Sequence, residues 1–562
     1  MASIVGKRQG GQTYYYLVES ARVGGKPRIV SQQYLGSAAE VTAKLTGASQ
    51  GAPVRTQHKA FGDLAAVWSM LERLGVAEVI DQVAPRRSDA AASVGTYLAL
   101  ATANRVVAPC SKLAFADWWT STAGPRFTRL SGPTLDHRRF WKAMDRLSAE
   151  DLVRIETELG QRMVTEFGLD LSGLVLDMTN FATFIDSGNE SAPIAQRGKA
   201  KQKRVDLRLV GLALVITRDG AVPLVSHAYP GDRPDVTQFS TVIDEVVSRY
   251  TALAGTVESV TVVYDAGQNS TGNHALVEGS GIGFVGSLPP SDHPDLLALP
   301  TSRYADLDPD RYPGLTCVDT TVTALGVTRR AVLTHSPTLH AKQSRGLDQT
   351  LTKARRGLAE LQARLARGGT RRTREAVLAD IAAICKPRWV NQVIHATLNG
   401  DTPAEMRLTF RTDTAARNRL ENRIFGKRIL FTNREQWTTT EVVAAYRSQS
   451  DVEAGFRQLK DRHVVSFSPM HHWTDQKIRV HIFYSVLALT TAHLMRRQAH
   501  QAGLDLSVRE LLGQLAGIGE TVLLFHDGGK GRPRASRILT DMTTTQTRLA
   551  EIFNINRYAP TR

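Results

Sequence analysis

Apolar positions recur along this chain with two different periods. From about residue 58 to 168 they return every three or four residues. FGDLAAVWSMLERLGVAEVIDQV (61–83) and TLDHRRFWKAMDRLSAEDLVRIETELGQRMVTEF (134–167) have this spacing, and the second opens on Thr134 and Asp136 as helix-capping residues. From about 170, continuous apolar runs of strand length take over: LSGLVLDMTN, DLRLVGLALVIT, AVPLVSHAY, VESVTVVYDA and GIGFVGSL. A helical stretch (234–253) separates the third run from the fourth, and a shorter one (about 270–279) precedes the fifth. Three early strands followed by helix–strand alternation predict an α/β sheet, antiparallel at its first edge and parallel in its later strands.

The flanks follow other patterns. Residues 1 to about 50 alternate in short β-like runs, YYYLVES and RIVSQQYLG, around the turn VGGK, then AAEVTAKL reads as a short helix. Residues 291 to about 430 mix strand-like runs (TCVDTTVTAL, TRRAVLTHS, QVIHATL, MRLTFR, RILFTN) with one long helix. In that helix Leu347, Leu351, Ala354, Leu358, Leu361 and Leu365 keep a seam spacing suited to a partner helix, and GGTRRTRE forms the tip of a helical hairpin. TTTEVVAAYRSQSDVEAGFRQLKDR (438–462) and KIRVHIFYSVLALTTAHLMRR (477–497) are again helical. At roughly 150 residues per domain, 562 residues need more than one core. The divisions expected are a β-rich module (1–55), a helical, DNA-binding candidate (56–168) and an α/β core (169–290). An insertion (291–430), the core's second part (431–500) and a helical tail (501–562) follow.

Charge narrows the partners. Seventy Lys/Arg against 54 Asp/Glu give +16 and a sequence pI near 9.8, the balance of a chain that meets a phosphate polyanion. Ten Lys/Arg against three Asp/Glu lie between Lys342 and Glu375, and six against one between Arg197 and Arg208. Three scattered cysteines give no disulfide framework or Cys-built zinc site and suit a reducing compartment. No apolar run reaches the roughly 20 residues a membrane span needs, so no membrane partner is expected. There is no GxxxxGK[ST] phosphate loop, and His471, His472 and His481 lack the spacing of a metal site.

The chemistry gathers on carboxylates. Asp177 follows LVL in the first strand and Asp265 follows VTVVY in the fourth, where ligands of α/β sheets collect. Reading YRSQSDVEAGFRQLK as one helix puts Val452, Phe456 and Leu459 on a buried stripe. Glu453, Arg457 and Lys460 lie about 100° round from it, with Tyr446 on that same polar face. The bland alternative is an i,i+4 Glu453–Arg457 salt bridge on a surface helix. Three carboxylates without a Cys/His cage suit hard, oxygen-seeking Mg²⁺.

Tyr446, Glu453 and Lys460, each seven apart, resemble the Tyr-Arg-Glu-Lys signature of bacterial insertion-sequence DDE transposases of the insertion-sequence-four superfamily. The segment QRGKAKQKRVDLRLVGLALVITRDGAVPLVSHAYPGDRPDVTQF and the N-terminal leader resemble the longer members of that group. The resemblance implies a ribonuclease H-like catalytic core interrupted by a large β-rich insertion with a helical hairpin, plus N-terminal β and helical modules. It implies Asp177, Asp265 and Glu453 as catalytic, metal-binding residues holding two Mg²⁺ ions, with Mn²⁺ as an acceptable substitute. Tyr446, Arg457, Lys460, Lys201, Lys203 and Arg204 become the DNA-binding candidates. The partners implied are double-stranded DNA, at element ends and at a target, and a second copy in a homodimeric DNA complex; the expected location is cytoplasmic, at the nucleoid. The signature's Arg is Gln449 here, so its role is expected to pass to Arg457 and Lys460 rather than to Arg447. The alternatives are a catalytically silent DNA-binding descendant of a transposase, and a ribonuclease H-like nuclease that cuts without joining.

Overall fold

The computed structural model describes residues 2–23, 26–45, 53–186, 188–198, 206–254, 259–367, 372–525 and 534–561. The chain divides into two compact units. One is assembled from Met1–Ser69, Ala114–Leu135 and Arg509–Arg562, the other from Met70–Leu113 and Asp136–Val508. The expected helical segment 56–168 is therefore shared between the units, and most of the expected tail belongs with the N-terminal segment. The reason is a long-range pairing that no local pattern encodes: Arg55–Ala60 lies antiparallel to Gly519–Phe525, which also pairs with Arg534–Leu539. In that small sheet Glu520, 2% exposed, is neutralised by Arg126 at 2.5 Å and Arg537 at 3.6 Å. Buried Phe61, Phe115 and Trp119 fill the core of the same unit. Its N-terminal segment adds a separate antiparallel meander of Ala2–Gln9, Gln12–Val23 and Lys26–Ser37.

The larger unit is built on a nine-stranded sheet. Its spatial order is Ala305–Asp306, Thr316–Ala324, Val327–His335, Lys427–Thr432, Gly283–Leu288, Thr261–Val263, Gly173–Thr183, Arg208–Thr217 and Pro223–Pro230. Gly173–Thr183, Arg208–Thr217 and Pro223–Pro230 pair antiparallel, whereas Gly173–Thr183, Thr261–Val263 and Gly283–Leu288 run parallel. The early edge is thus antiparallel and the later strands parallel, as the apolar runs predict. The helices Asp235–Ala254 and Thr271–Gly279 supply the crossovers.

The segment 291–430 departs from the expected self-contained insertion. Its strands Thr316–Ala324 and Val327–His335, with Lys427–Thr432, extend the main sheet through an unbroken antiparallel ladder. Only the intervening helices and the hairpin Ile394–Asn399/Arg407–Thr412 make a body of their own. The leucine seam of helix Pro337–Ala366 is buried there, from Leu347 to Leu365, against Val377 and Ile381 of helix Arg374–Cys385, with Leu398 and Leu408 of the hairpin in the same core. A helical hairpin therefore forms, and its partner is in the same chain.

Helix Asp475–Gln501 is 27 residues long and apolar enough to cross a membrane by length and composition, yet 94% of its apolar window is buried inside the protein. Its His493 donates from Nδ1 to Ala221 O at 2.5 Å, and its Nε2 lies 2.8 Å from the side-chain amide of Gln458. Burial pulls His493 down to about 3, and His472 likewise. Both fold as neutral bases, whereas in the unfolded chain they take up protons near pH 6.5. The unfolded state then binds more protons, so their contribution is complete above pH 6.5 and is lost as pH falls below it. The melting temperature of the full chain is expected to drop between pH 6.5 and 5, a window above ordinary carboxylate titration. A His493→Gln variant should flatten that slope; an unchanged slope would count against neutral burial.

Candidate active site

Asp177 lies in the middle of Gly173–Thr183, the central strand of the parallel–antiparallel junction. Alternation along the strand puts Thr179 and Phe181 on its face of the sheet. The parallel register joins Gly173 to Thr261, Leu174 to Val262 and Val175 to Val263. The same 88-residue offset continued two positions brings Asp265 level with Asp177. Asp265 remains extended (φ −88°, ψ 163°) and then caps a short 3₁₀ turn, its Oδ1 accepting from Gly267 N at 3.3 Å.

The third carboxylate comes from a helix docked on that face. The stretch expected as one helix is two: Thr439–Arg447 and Gln449–Leu459, broken at Ser448, whose hydroxyl donates to Ala445 O at 2.5 Å. Val452, Phe456 and Leu459 are buried as their spacing predicts. Two polar side chains pin the second helix lengthwise to the Asp177 strand. Gln449 Nε2 donates to Leu176 O at 3.2 Å, and Lys460 Nζ donates to Thr179 Oγ1 at 2.7 Å. These anchors bracket Asp177 on the strand and Glu453 on the helix. Glu453 lies one turn beyond Gln449, nearly on the same helical face. Phe467 stacks on Phe181 at 4.3 Å, with Lys460 over the same ring at 5.3 Å, closing the far end.

Gln449 is therefore a structural hinge-pin, 9% exposed and bonded to the main chain beside Asp177. An amide can satisfy a carbonyl there without bringing a charge into the interior. This gives the departure from the signature a physical reason, one that motif spacing does not reveal.

Unlike the exposed Glu453, Tyr446 has its ring buried (8% exposed), and its hydroxyl donates to Ser287 Oγ at 3.1 Å. Ser287 Oγ also accepts from Ala266 N at 3.2 Å, and Ser287 O accepts from Asn269 Nδ2 at 2.8 Å. One serine thus ties Tyr446 to the turn that carries Asp265. Burial raises the Tyr446 phenol pKa, and the nearby Asp265 carboxylate acts in the same direction. Ser287 carried no signal in the sequence beyond its place at the end of an apolar strand.

A cleft of about 360 Å³ opens at this helix pair, and Glu453, Arg428, Arg447, Gln449, Ser450 and Tyr446 are among its lining residues. Arg428, on strand Lys427–Thr432, sits 5.4 Å from the Tyr446 ring centre, and Arg447 sits 4.3 Å from that of Tyr312. Arg457 is exposed and does not line the cleft. The cations that line it are Arg428, which the sequence did not single out, and Arg447. Lys201, Lys203 and Arg204 lie outside the described residues.

Asp265 and Glu453 are exposed, and Asp177 is half-buried. Among the described residues neither Asp265 nor Glu453 forms an ion pair, so the Glu453–Arg457 bridge of the bland reading is not formed. Among the same residues no three carboxylate, imidazole or thiol groups are gathered into a ready-made metal cage. Register and helix docking bring the carboxylates to one region without closing them on one another. As a donor set they are hard oxygens, with no ion-paired cation at Asp265 or Glu453 among the described residues, which fits a Mg²⁺-type ion. His481 is instead part of a buried hydrogen-bond chain, with Tyr484 OH 2.6 Å from its Nδ1 and its Nε2 donating to Phe467 O at 2.7 Å; the His472 ring packs on it, 5.3 Å between ring centres.

No family model matches the chain, and no curated protein matches it. Among solved structures, the chain is similar to a piggyBac transposase in a synaptic complex with hairpin DNA. The identity is 8% and the TM-score 0.37, over 82% of each chain.

Proposed function

We propose that this chain is a DNA transposase that cleaves the ends of an insertion sequence and joins them to target DNA. The observation that supports the reading is the placement of Asp177, Asp265 and Glu453 on elements that share one register and one docked helix. Two come from adjacent parallel strands in one register, and the third from a helix pinned across them by Gln449 and Lys460. The strand order third-second-first-fourth-fifth, counted from Gly173–Thr183, supports a ribonuclease H-like core. Asp177, Asp265 and Glu453 would hold two Mg²⁺ ions. When bound, these activate a water or 3′-hydroxyl and neutralise the leaving oxygen of a phosphodiester.

The chain's own groups do the rest. Arg428 and Arg447 hold backbone phosphate in the cleft beside Glu453, with planar forks suited to two phosphate oxygens. Lys460 keeps the helix seated on Thr179 and adds a point charge; Tyr446 and Ser287 fix the Asp265 turn. Arg457, Lys201, Lys203 and Arg204 extend the phosphate contacts. In this reading the enzyme acts as a homodimer bridging two ends, in the cytoplasm at the nucleoid.

The test is an assay of the purified chain with Mg²⁺ or Mn²⁺, a duplex bearing the inverted repeats that flank its gene, and a supercoiled target plasmid. The expected result is cleavage to 3′-hydroxyls followed by joined product. Cleavage without joining would make it a nuclease, and binding without cleavage a silent descendant.

A further inference from the structure

The N-terminal meander presents a surface that its own unit does not cover. Ala2–Gln9 pairs only with residues 12–19 of the second strand, so residues 20–23 and 26–29 continue as a two-stranded ribbon, with Val30 at the register shift where it joins the three-stranded part. The ladder continues to the Val23–Lys26 pair, with a register shift at Glu19/Ser20. In the ribbon Ala21, Arg22 and all of residues 26–30 are exposed. Ile29 and Val30 are 53% and 56% exposed. A bare two-stranded ribbon is marginally stable in water, and exposed β-branched pairs on it call for a covering surface.

Charge identifies the occupant. Residues 20–31 carry Arg22, Lys26 and Arg28 and no acid, and residues 2–37 carry five Lys/Arg against Glu19 alone. Three cations flanking two apolar side chains on a twisted ribbon match a nucleic-acid groove, with phosphates along both walls and base edges and thymine methyls on the floor. The major groove, about 12 Å wide, admits a two-stranded β-ribbon. We infer that the ribbon of residues 20–23 and 26–30 is a DNA-binding arm that lies in a groove of duplex DNA, with Arg22, Lys26 and Arg28 on phosphates and Ile29 and Val30 against the bases. The arm is a site apart from the carboxylates and does not depend on their assignment.

The test uses the full chain carrying Asp177→Ala, so that binding is read without cleavage. Anisotropy titrations on a labelled duplex, from about 50 to 200 mM salt, compare it with the added triple change Arg22→Ala/Lys26→Ala/Arg28→Ala. The expected outcome is a loss of roughly tenfold or more in affinity, with the salt slope falling by about 2 to 3. A charge-preserving Arg22→Lys/Arg28→Lys variant should keep the slope. Because all three residues are exposed, an unchanged melting temperature should accompany the loss. Unchanged affinity and slope would overturn the inference. So would an Ile29→Ser/Val30→Ser variant that turned a DNA-free dimer into a monomer while binding DNA as before, since the ribbon would then join two copies of the chain. Neither result would touch the cleavage assay, so failure of the arm and failure of the transposase reading are distinguishable.

Discussion

Replacing Asp177, Asp265 or Glu453 singly by alanine is expected to reduce Mg²⁺-dependent cleavage to background while end-containing duplexes bind nearly as before. The three positions differ in how the fold treats them, which makes the set informative. Asp177 is held mid-strand, paired to Leu214 of the antiparallel neighbour, so its backbone tolerates the change. Asp265 also caps a short turn through Gly267 N, and its loss costs a local hydrogen bond of about 1 kcal/mol. Glu453 is exposed and makes no ion pair among the described residues, so truncation should leave stability unchanged. Cleavage and stability should therefore separate most cleanly at Glu453. Asp265→Asn, which keeps the cap acceptor but not the charge, separates them at the second position. Near-wild-type cleavage by any one of the alanine variants in Mg²⁺, at equal duplex occupancy, would remove that residue from the catalytic set.

Much of the core's architecture is legible in the sequence because its strands are buried on both faces. Runs such as LRLVGLALVIT have no polar alternative and can only be interior, and the burial of Leu209 to Ile216 follows. The gap of 88 residues between Asp177 and Asp265 equals the offset of the strand register. That equality is visible only once the pairing of Gly173 with Thr261 is known. What the sequence does not show is set by distant pairing or by side-chain anchors. The extension of the sheet by Val327–His335 depends on a ladder to Lys427–Thr432, nearly a hundred residues later. The break at Ser448 is a local change in a pattern whose apolar spacing stays helical on both sides, so periodicity runs straight through it. Tyr446 before it is buried and Glu453 after it is exposed. Polar anchors such as Ser287 and Gln449 have no periodic signature at all, since each is defined by the single carbonyl, amide or hydroxyl it meets.

In the proposed reading, the cations that line the cleft are the ones that meet DNA. Arg428→Ala and Arg447→Ala are each expected to weaken end binding and cleavage roughly tenfold or more, whereas Arg457→Ala should change them by less than about threefold. Arg428 is paired to Thr334 and directly precedes the stretch Ile429–Thr432 that is paired on both edges, so its backbone is held. Its guanidinium stands over the Tyr446 ring and that of Arg447 over Tyr312, 5.4 and 4.3 Å from the ring centres. Stacking restricts both side chains before DNA arrives, so less freedom is lost when each fork closes on a phosphate. Both line the cleft with Glu453, whereas Arg457 lies one turn beyond Glu453, exposed and outside that lining. A freely rotating arginine in water gains little from one phosphate contact. Arg428→Lys should recover only part of the loss, because an ammonium keeps the charge but neither the fork nor the flat stacking surface. Measured side by side on end-containing duplexes, a greater loss from Arg457→Ala than from both cleft variants would show that the phosphate at the cleaved end lies along the outer face of the Gln449–Leu459 helix rather than in the cleft.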